Sequence, residues 1–371
     1  MTVVNVMWSG GAAYASVHKV HQQILSLVSS NTEVHTWLLQ GRGDESAQVE
    51  GTLLEWKASQ QLLRGRGLWF LPQALLRARL RRQLLSSGAS VVLLDGIGVA
   101  RLLLPVLRKL PHVRALVVFH GKTRLRHADA RLFSGPAGRQ VSLVAVSRTL
   151  AEALQRELGH PVLALRTAID PANFQRALFA CDDARQVLGS DWEGRILLGA
   201  VGRLVPEKGY DFLLDVLAAL VKQRPELHLL ILGEGEQRQA LEEKVRQNGL
   251  AAYITLAGYR TDVARLYRAF DLMLIPSRSE GLGLVLQEAV MAGVPVVSSN
   301  LPVFVEQLGE AGVYVEPDDA AGWAVAIEQL LAGDKAALAA RQYRQLAPEQ
   351  AWDEFSRGYR ELLADVPVSA S

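Results

Sequence analysis

A single cysteine, Cys181, occurs in the 371 residues. One thiol forms no internal disulfide, so a reducing, cytoplasmic setting is expected. Cys181 itself reads as a small packing residue and not as a nucleophile. Long apolar runs are also missing. The longest, LVLQEAVMAGVPVV (284–297), is interrupted by polar residues and glycine, short of the roughly 18 apolar residues that suggest a spanning helix. Residues 1–11 (MTVVNVMWSGG) carry no basic leader and read as a first strand, which argues against a secretory signal. His, Cys and acidic residues nowhere recur at metal-ligand spacing. The adjacent acidic pairs Asp182–Asp183 and Asp318–Asp319 read as turns or helix caps. Heptads, low-complexity tracts and short repeats are absent. No recognised nucleic-acid-binding motif is present, so nucleic acid is not an expected partner.

What remains is a chain that is 49% hydrophobic and too long for one ordinary core, which implies two domains. Apolar strands alternate with amphipathic helices throughout, the pattern of parallel α/β sheets. Strands are expected at 3–7, 33–39, 91–95, 114–120, 142–146 and 161–165, and again at 196–201, 227–232, 254–257, 272–276, 294–298 and 313–315. About six strands per half suit two Rossmann-like domains. Their expected bounds are 1–170 and 171–349. The segment 169–189 has no clear periodicity and reads as a link. The amphipathic C-terminal helix, within 350–371, either packs on the second domain or crosses back to the first. Charge divides the same way. Residues 1–180 hold 22 Lys and Arg against 10 Asp and Glu, and residues 181–371 hold 18 against 28. The basic half should prefer an anionic ligand or surface.

Candidate chemistry gathers in the second half. DLMLIPS (271–277) reads as a strand, Gly281 and Gly283 open a helix, and Gly293 closes it. A strand, a glycine turn and a helix N-terminus make an anion site, because free N–H groups converge there with the helix dipole. Glu280 and Glu288 stand eight positions apart and cannot both serve that anion. They suit hydroxyl groups on either side of a phosphate, the layout of a nucleotide sugar. Upstream, Arg203 and Lys208 flank a turn at the C-terminal end of a strand, where open α/β sheets bind ligands. Two cations there neutralise a diphosphate. The strand ending at Leu232 runs into Gly233 and Glu234, and Gly258 leads into Tyr259 and Arg260, a loop suited to a nucleobase.

GRLVPEKG (202–209), LGEG (232–235), LAGYRTDV (256–263) and PSRSEGLGLVLQEAVMAGVPVV (276–297) occur in one order and spacing. Together they resemble the retaining GT-B glycosyltransferases of family four (glycosyltransferase group 1), which includes lipopolysaccharide-core enzymes. The resemblance implies two Rossmann-like domains whose sheets face each other across a cleft. It implies that Arg203 and Lys208 hold the donor diphosphate and that Glu280 lies against the donor sugar. Gly281, Leu282, Gly283 and Leu284 would offer N–H groups, and Glu288 would bind the ribose. In the first half it rests on Gly10 and Gly11 after the first strand, and on His120, placed near the reacting sugar carbon. It rests also on VAVSRTLAEAL (144–154), with Ser147 capping a helix. Such enzymes are thought to retain configuration by front-face attack, the departing phosphate oxygen accepting the acceptor's proton. That chemistry needs positioning and electrostatics rather than a side-chain base, and closure of the domains over the donor. Neither cofactor nor metal is expected.

The expected activity is transfer of a hexose-type sugar from a nucleoside-diphosphate donor to a lipid-linked or cell-envelope glycan, such as a lipopolysaccharide core or surface polysaccharide. The segment 62–85 interleaves Arg64, Arg66, Arg77, Arg79, Arg81 and Arg82 with leucines, Trp69 and Phe70. That composition suits an anionic membrane surface and makes the inner face of the cytoplasmic membrane a candidate place of work. Lys122, Arg124, Arg126 and Arg131 form a second basic cluster suited to phosphorylated acceptor sugars. A sugar-nucleotide epimerase and a non-catalytic sugar-nucleotide-binding protein are the alternatives on this scaffold. The Arg203–Lys208 pair placed with Glu280 and Glu288 fits a transferase better.

Overall fold

The computed structural model describes residues 1–10, 14–41, 51–65, 67–121, 123–134, 140–189 and 192–364. Two units form: residues 1–167 with 353–371, and residues 168–352. The first carries strands β1 (Thr2–Ser9), β2 (Glu33–Gln40), β3 (Thr52–Glu55), β4 (Val91–Asp95), β5 (Arg114–Phe119), β6 (Val141–Ala145) and β7 (Leu163–Ala164). They pair in parallel in the order β3-β2-β1-β4-β5-β6-β7. Val91 to Leu94 are fully buried, because helices cover both faces of a parallel sheet.

This sheet has seven strands, one more than expected. The additional strand, β3, lies at an edge, and its Leu53 and Leu54 are exposed. A four-residue edge strand without a buried face leaves no hydrophobic period to read.

The second unit carries β8 (Ile196–Val201), β9 (Leu227–Leu232), β10 (Ile254–Gly258), β11 (Leu272–Ile275), β12 (Val296–Ser299) and β13 (Val313–Val315). They form a parallel six-stranded sheet in the order β10-β9-β8-β11-β12-β13. One apolar layer includes Phe212, Leu217, Leu241 and Trp323. The other includes Tyr267, Leu286, Val290 and Phe304. In both units the strand order reverses beside the first strand, which opens a crevice at the C-terminal ends of β1 and β4, and of β8 and β11.

The segment 169–189 is not a plain link. It folds into the helices Pro171–Ala177 and Cys181–Leu188, and its Phe174 and Ala184 join the second unit's core. Each helix has about two turns or fewer, too short for periodicity to show. Cys181 is exposed at the start of its helix, so it does not pack as expected. Asp182 and Asp183 lie in the first turn of that helix. Asp319 caps the helix Ala320–Ala332 by accepting from the Gly322 N–H at 3.0 Å.

The C-terminal helix spans Pro348–Leu363. It starts in the second unit, and its residues from 353 onward group with the first. Phe355, Tyr359 and Leu363 are buried. Arg114, at the start of β5, donates to the carbonyls of Leu362 (3.3 Å) and Ala364 (2.5 Å).

Candidate active site

In the second unit the crevice is bounded by the loops after β8 and β11. Gly202 follows β8 and donates its N–H to Leu232 O at 3.0 Å, and Leu204 donates to Glu234 O at 2.9 Å. Gly233 donates to Gly258 O at 2.8 Å. The loops after β8, β9 and β10 are thereby laced together by backbone. Gly209, at φ +69°, passes so close to the carbonyl of Pro276 that a Cβ would overlap it. Glycine is what lets the 206–209 turn lie against the loop after β11.

Lys208 and Glu280 meet in this crevice: the ammonium pairs with Oε1 of the carboxylate. The same oxygen accepts from Ser277 Oγ at 2.8 Å. The two side chains are 18% and 11% exposed. Arg203 is exposed on the same turn. Gly281 and the buried Leu282 lead to Gly283, the N-cap of the helix Leu284–Met291, at φ +80° and with no side chain capping it. An uncapped first turn is the condition under which a helix N-terminus receives an anion.

Glu288 lies deeper than its motif suggested, at 5% exposure. Its Oε2 accepts from Tyr267 OH at 2.6 Å. Burial, and then the Glu288 charge, push the Tyr267 phenol well above its usual range, so the phenol stays protonated and acts as donor. Tyr267 was not legible as a site residue. Nor does the sequence alone point to Arg278. Its N–H bonds Glu207 O at 2.8 Å, and its guanidinium reaches Pro206 O (2.7 Å), Asp211 (2.9 Å) and Asp318 (2.6 Å). It fastens the Lys208 turn to the loop that carries Glu280. A cation inside PSRSEG was the available signal.

Other expected donor residues have different surroundings. Glu234 is exposed and pairs with Arg238 at 2.9 Å. Tyr259 is 42% exposed. Arg260 is engaged in a two-pronged pair with Asp262, both bonds at 2.8 Å.

In the first unit, Gly10 donates to Gln40 O at 3.2 Å, while Gly11 lies outside the described residues. His120 follows β5 directly. Its Nε2 faces His21 Nε2 at 3.1 Å, and His21 Nδ1 lies 2.6 Å from Asn5 Oδ1. Asp95 Oδ1 is 3.7 Å from His120 Nε2. Burial lowers the proton affinity of both imidazoles: His21 goes well below the ordinary range, with His120 and His18 adding to the shift, while for His120 the Asp95 charge opposes it. Ligand atoms of His21, Asp95 and His120 come within 4.8 Å of one another, the one such group among the described residues. Residues 21, 95 and 120 have no sequence spacing that could announce this. The available hint was His21 itself, a polar residue on the buried face of the helix Ala15–Leu25.

The basic segment divides in two. On the helix Phe70–Ser86, Leu76, Leu80 and Leu84 are buried, and Arg77 donates to the carbonyls of Arg101 (3.1 Å) and Leu102 (3.2 Å). Facing outward are Leu68 (93% exposed), Phe70, Leu71 and Leu75, with Arg79, Arg81 and Arg82 exposed too. Arg66 lies outside the described residues, as does Lys122 of the second cluster. No helix among the described residues is long and apolar enough to cross a membrane.

Residues 195–333 match the family described as Glycosyl transferases group 1. The lipopolysaccharide core biosynthesis glycosyltransferase LpsE of Rhizobium meliloti is 33% identical over 172 residues, 45% of this chain and 49% of that protein. The lipopolysaccharide core biosynthesis mannosyltransferase LpsB of the same organism is 31% identical over 224 residues, 58% of this chain and 61% of that protein. The matches thus span about half to three-fifths of these relatives' length. Among solved structures, Anabaena Alr3699/HepE in complex with UDP and glucose superposes with a TM-score of 0.79 at 18% identity, covering 99% of this chain and 100% of that one. Sucrose-phosphate synthase from Thermosynechococcus elongatus superposes with a TM-score of 0.73 at 17% identity, covering 99% and 100%. The chain therefore has the GT-B class of fold, and its residues 195–333 are similar to the glycosyl transferases group 1 family.

Proposed function

We propose that the protein is a retaining glycosyltransferase that moves a hexose-type sugar from a nucleoside-diphosphate donor to a cell-envelope glycan or lipid-linked acceptor. The observation that carries this reading is the meeting of Lys208 with Glu280 beside the uncapped helix Leu284–Met291, at the sheet's switch point. A diphosphate there has Lys208, Arg203 and the helix N-terminus as counter-charge. Glu280 is then released toward the sugar hydroxyls, and Glu288, held by Tyr267, toward the ribose. Gly233, Glu234, Tyr259 and Arg260 border the nucleoside. His120 serves the transfer step in the first unit. Charge neutralisation by Arg203 and Lys208 makes the reaction metal-independent. The relatives named for lipopolysaccharide core biosynthesis, and the fold shared with a protein solved with UDP and glucose, support the donor class and the acceptor class.

Titration calorimetry with UDP, GDP and dTDP tests the donor site, and at least one should bind. Nucleotide release from the matching sugar nucleotide, in the presence of a cell-envelope glycan fraction and excess EDTA, tests metal-independent transfer. Failure of every nucleoside diphosphate to bind would sink the proposal.

The acceptor reading includes an anionic membrane surface. It is supported by the outward row Leu71, Leu75 and Arg82 on the helix Phe70–Ser86, with Leu68 and Phe70 at its start. Apolar side chains rimmed by arginine suit an anionic lipid interface. Flotation with vesicles containing anionic lipid at low salt checks this, and absence of binding counts against it.

A further inference from the structure

The chain of contacts from Asn5 through His21 to His120 determines where each imidazole proton sits. Asn5 Nδ2 donates to Thr36 Oγ1 at 3.3 Å, which turns Asn5 Oδ1 toward His21 Nδ1 at 2.6 Å. An amide oxygen only accepts, so His21 carries its proton on Nδ1 and a lone pair on Nε2. That lone pair faces His120 Nε2 at 3.1 Å. The contact is a hydrogen bond only when His120 carries its proton on Nε2. His120 Nδ1 is then an unprotonated acceptor. It is buried, and no group among the described residues bonds it.

An unmet buried acceptor is destabilising, and a bound hydroxyl would satisfy it. We propose that His21, backed by Asn5, is a positioning residue: it holds His120 as the Nε2–H tautomer, so that Nδ1 accepts a hydrogen bond from a substrate hydroxyl. Asp95 assists without taking the proton. Its Oδ1 is 3.7 Å from His120 Nε2, beyond hydrogen-bond range, and its Oδ2 accepts from the Trp8 N–H at 3.1 Å. That the hydroxyl belongs to a substrate of sugar transfer rests on the transferase reading. The tautomer assignment does not.

Two measurements on the full chain test this. In protein labelled with nitrogen-15 at histidine, long-range nitrogen–proton correlation at neutral pH should show His21 as Nδ1–H and His120 as Nε2–H. The other tautomer at either residue, or a charged ring, overturns the proposal. So does stoichiometric zinc held by His21, Asp95 and His120, since it would replace the Nε2 proton. His21→Gln places an amide oxygen about where Nε2 stands and should keep both the His120 tautomer and most of the turnover. His21→Leu removes the acceptor. Its His120 should populate both tautomers, and kcat should fall roughly tenfold while the donor KM changes little. A folded His21→Leu protein with wild-type kcat and an unchanged His120 tautomer refutes the assignment. Should His21→Leu fail to fold, the wild-type spectrum and the His21→Gln rescue still decide. If no sugar nucleotide is turned over, the transferase reading fails, while the tautomer result stands or falls by itself.

Discussion

Lys208 and Glu280 are mostly buried partners, and removing one charge from such a pair leaves the other uncompensated. Lys208→Ala should therefore weaken nucleoside-diphosphate binding by about 1.5–3 kcal/mol, the scale of a hydrogen bond to a charged group, or roughly ten- to hundredfold in Kd. Calorimetry on the variant checks it, and an unchanged Kd would remove Lys208 from the diphosphate grip. Glu288→Ala should weaken the nucleoside diphosphate while inorganic pyrophosphate binds as before, because the lost contact is to ribose. The same change strands the Tyr267 hydroxyl and should cost about 1–3 kcal/mol of stability, read from denaturant unfolding.

Acid should also act through individual residues. His21, His120 and His228 are held below the ordinary imidazole range, in each case chiefly by burial; at His228 the Arg195 charge adds to it. The unfolded chain takes up these protons near pH 6.5, where the folded chain does not. Stability is therefore full above that pH and is lost as the pH falls toward the depressed folded values. Tm should drop between about pH 7.5 and about pH 5.5, and the drop should shrink in His228→Gln. An equal drop in that variant would assign the acid sensitivity elsewhere.

At the scale of elements, the helix Phe70–Ser86 has a buried face and an exposed apolar one. Leu76, Leu80 and Leu84 anchor it, while Leu71 and Leu75 contribute nothing to the core, being 62% and 71% exposed. Replacing both outward leucines by serine should leave stability within about 0.5 kcal/mol and reduce vesicle binding severalfold. A matching loss of Tm would show that these side chains are structural after all. The helix Leu284–Met291 teaches the complementary lesson. Its glycine N-cap, Glu280 before it and Glu288 within it are all visible in the sequence, because turn chemistry and helix boundaries are local. Tyr267, 21 residues before Glu288, is not.

At the scale of the molecule, the two sheets have separate cores, and the chain's last helix is shared between them. Truncation after Ala347 removes Phe355, Tyr359 and Leu363, each worth roughly 1.5–3 kcal/mol where fully buried, and both Arg114 contacts. Hydrogen exchange should accelerate in β5 and its neighbours, while β8, next to the second unit's crevice, stays protected. Uniform acceleration in both units would mean that they do not unfold separately.

By itself the sequence determined the two parallel sheets, most strand positions, and the motif spacing within residues 195–333. Buried parallel strands and glycine turns write those features locally, in runs of a few residues. It also named both partners of the Lys208–Glu280 pair, though not their contact, which spans 72 positions. Only the tertiary structure decided what closes over long separations. It supplied the Arg278 clamp, the Tyr267–Glu288 bond and the edge strand β3, and it carried the last helix back to the first unit. It also placed His21 against His120, 99 residues apart. A proton's position on an imidazole depends on what its other nitrogen meets, and for His21 and His120 that is set by the packing of β1, β5 and the first helix.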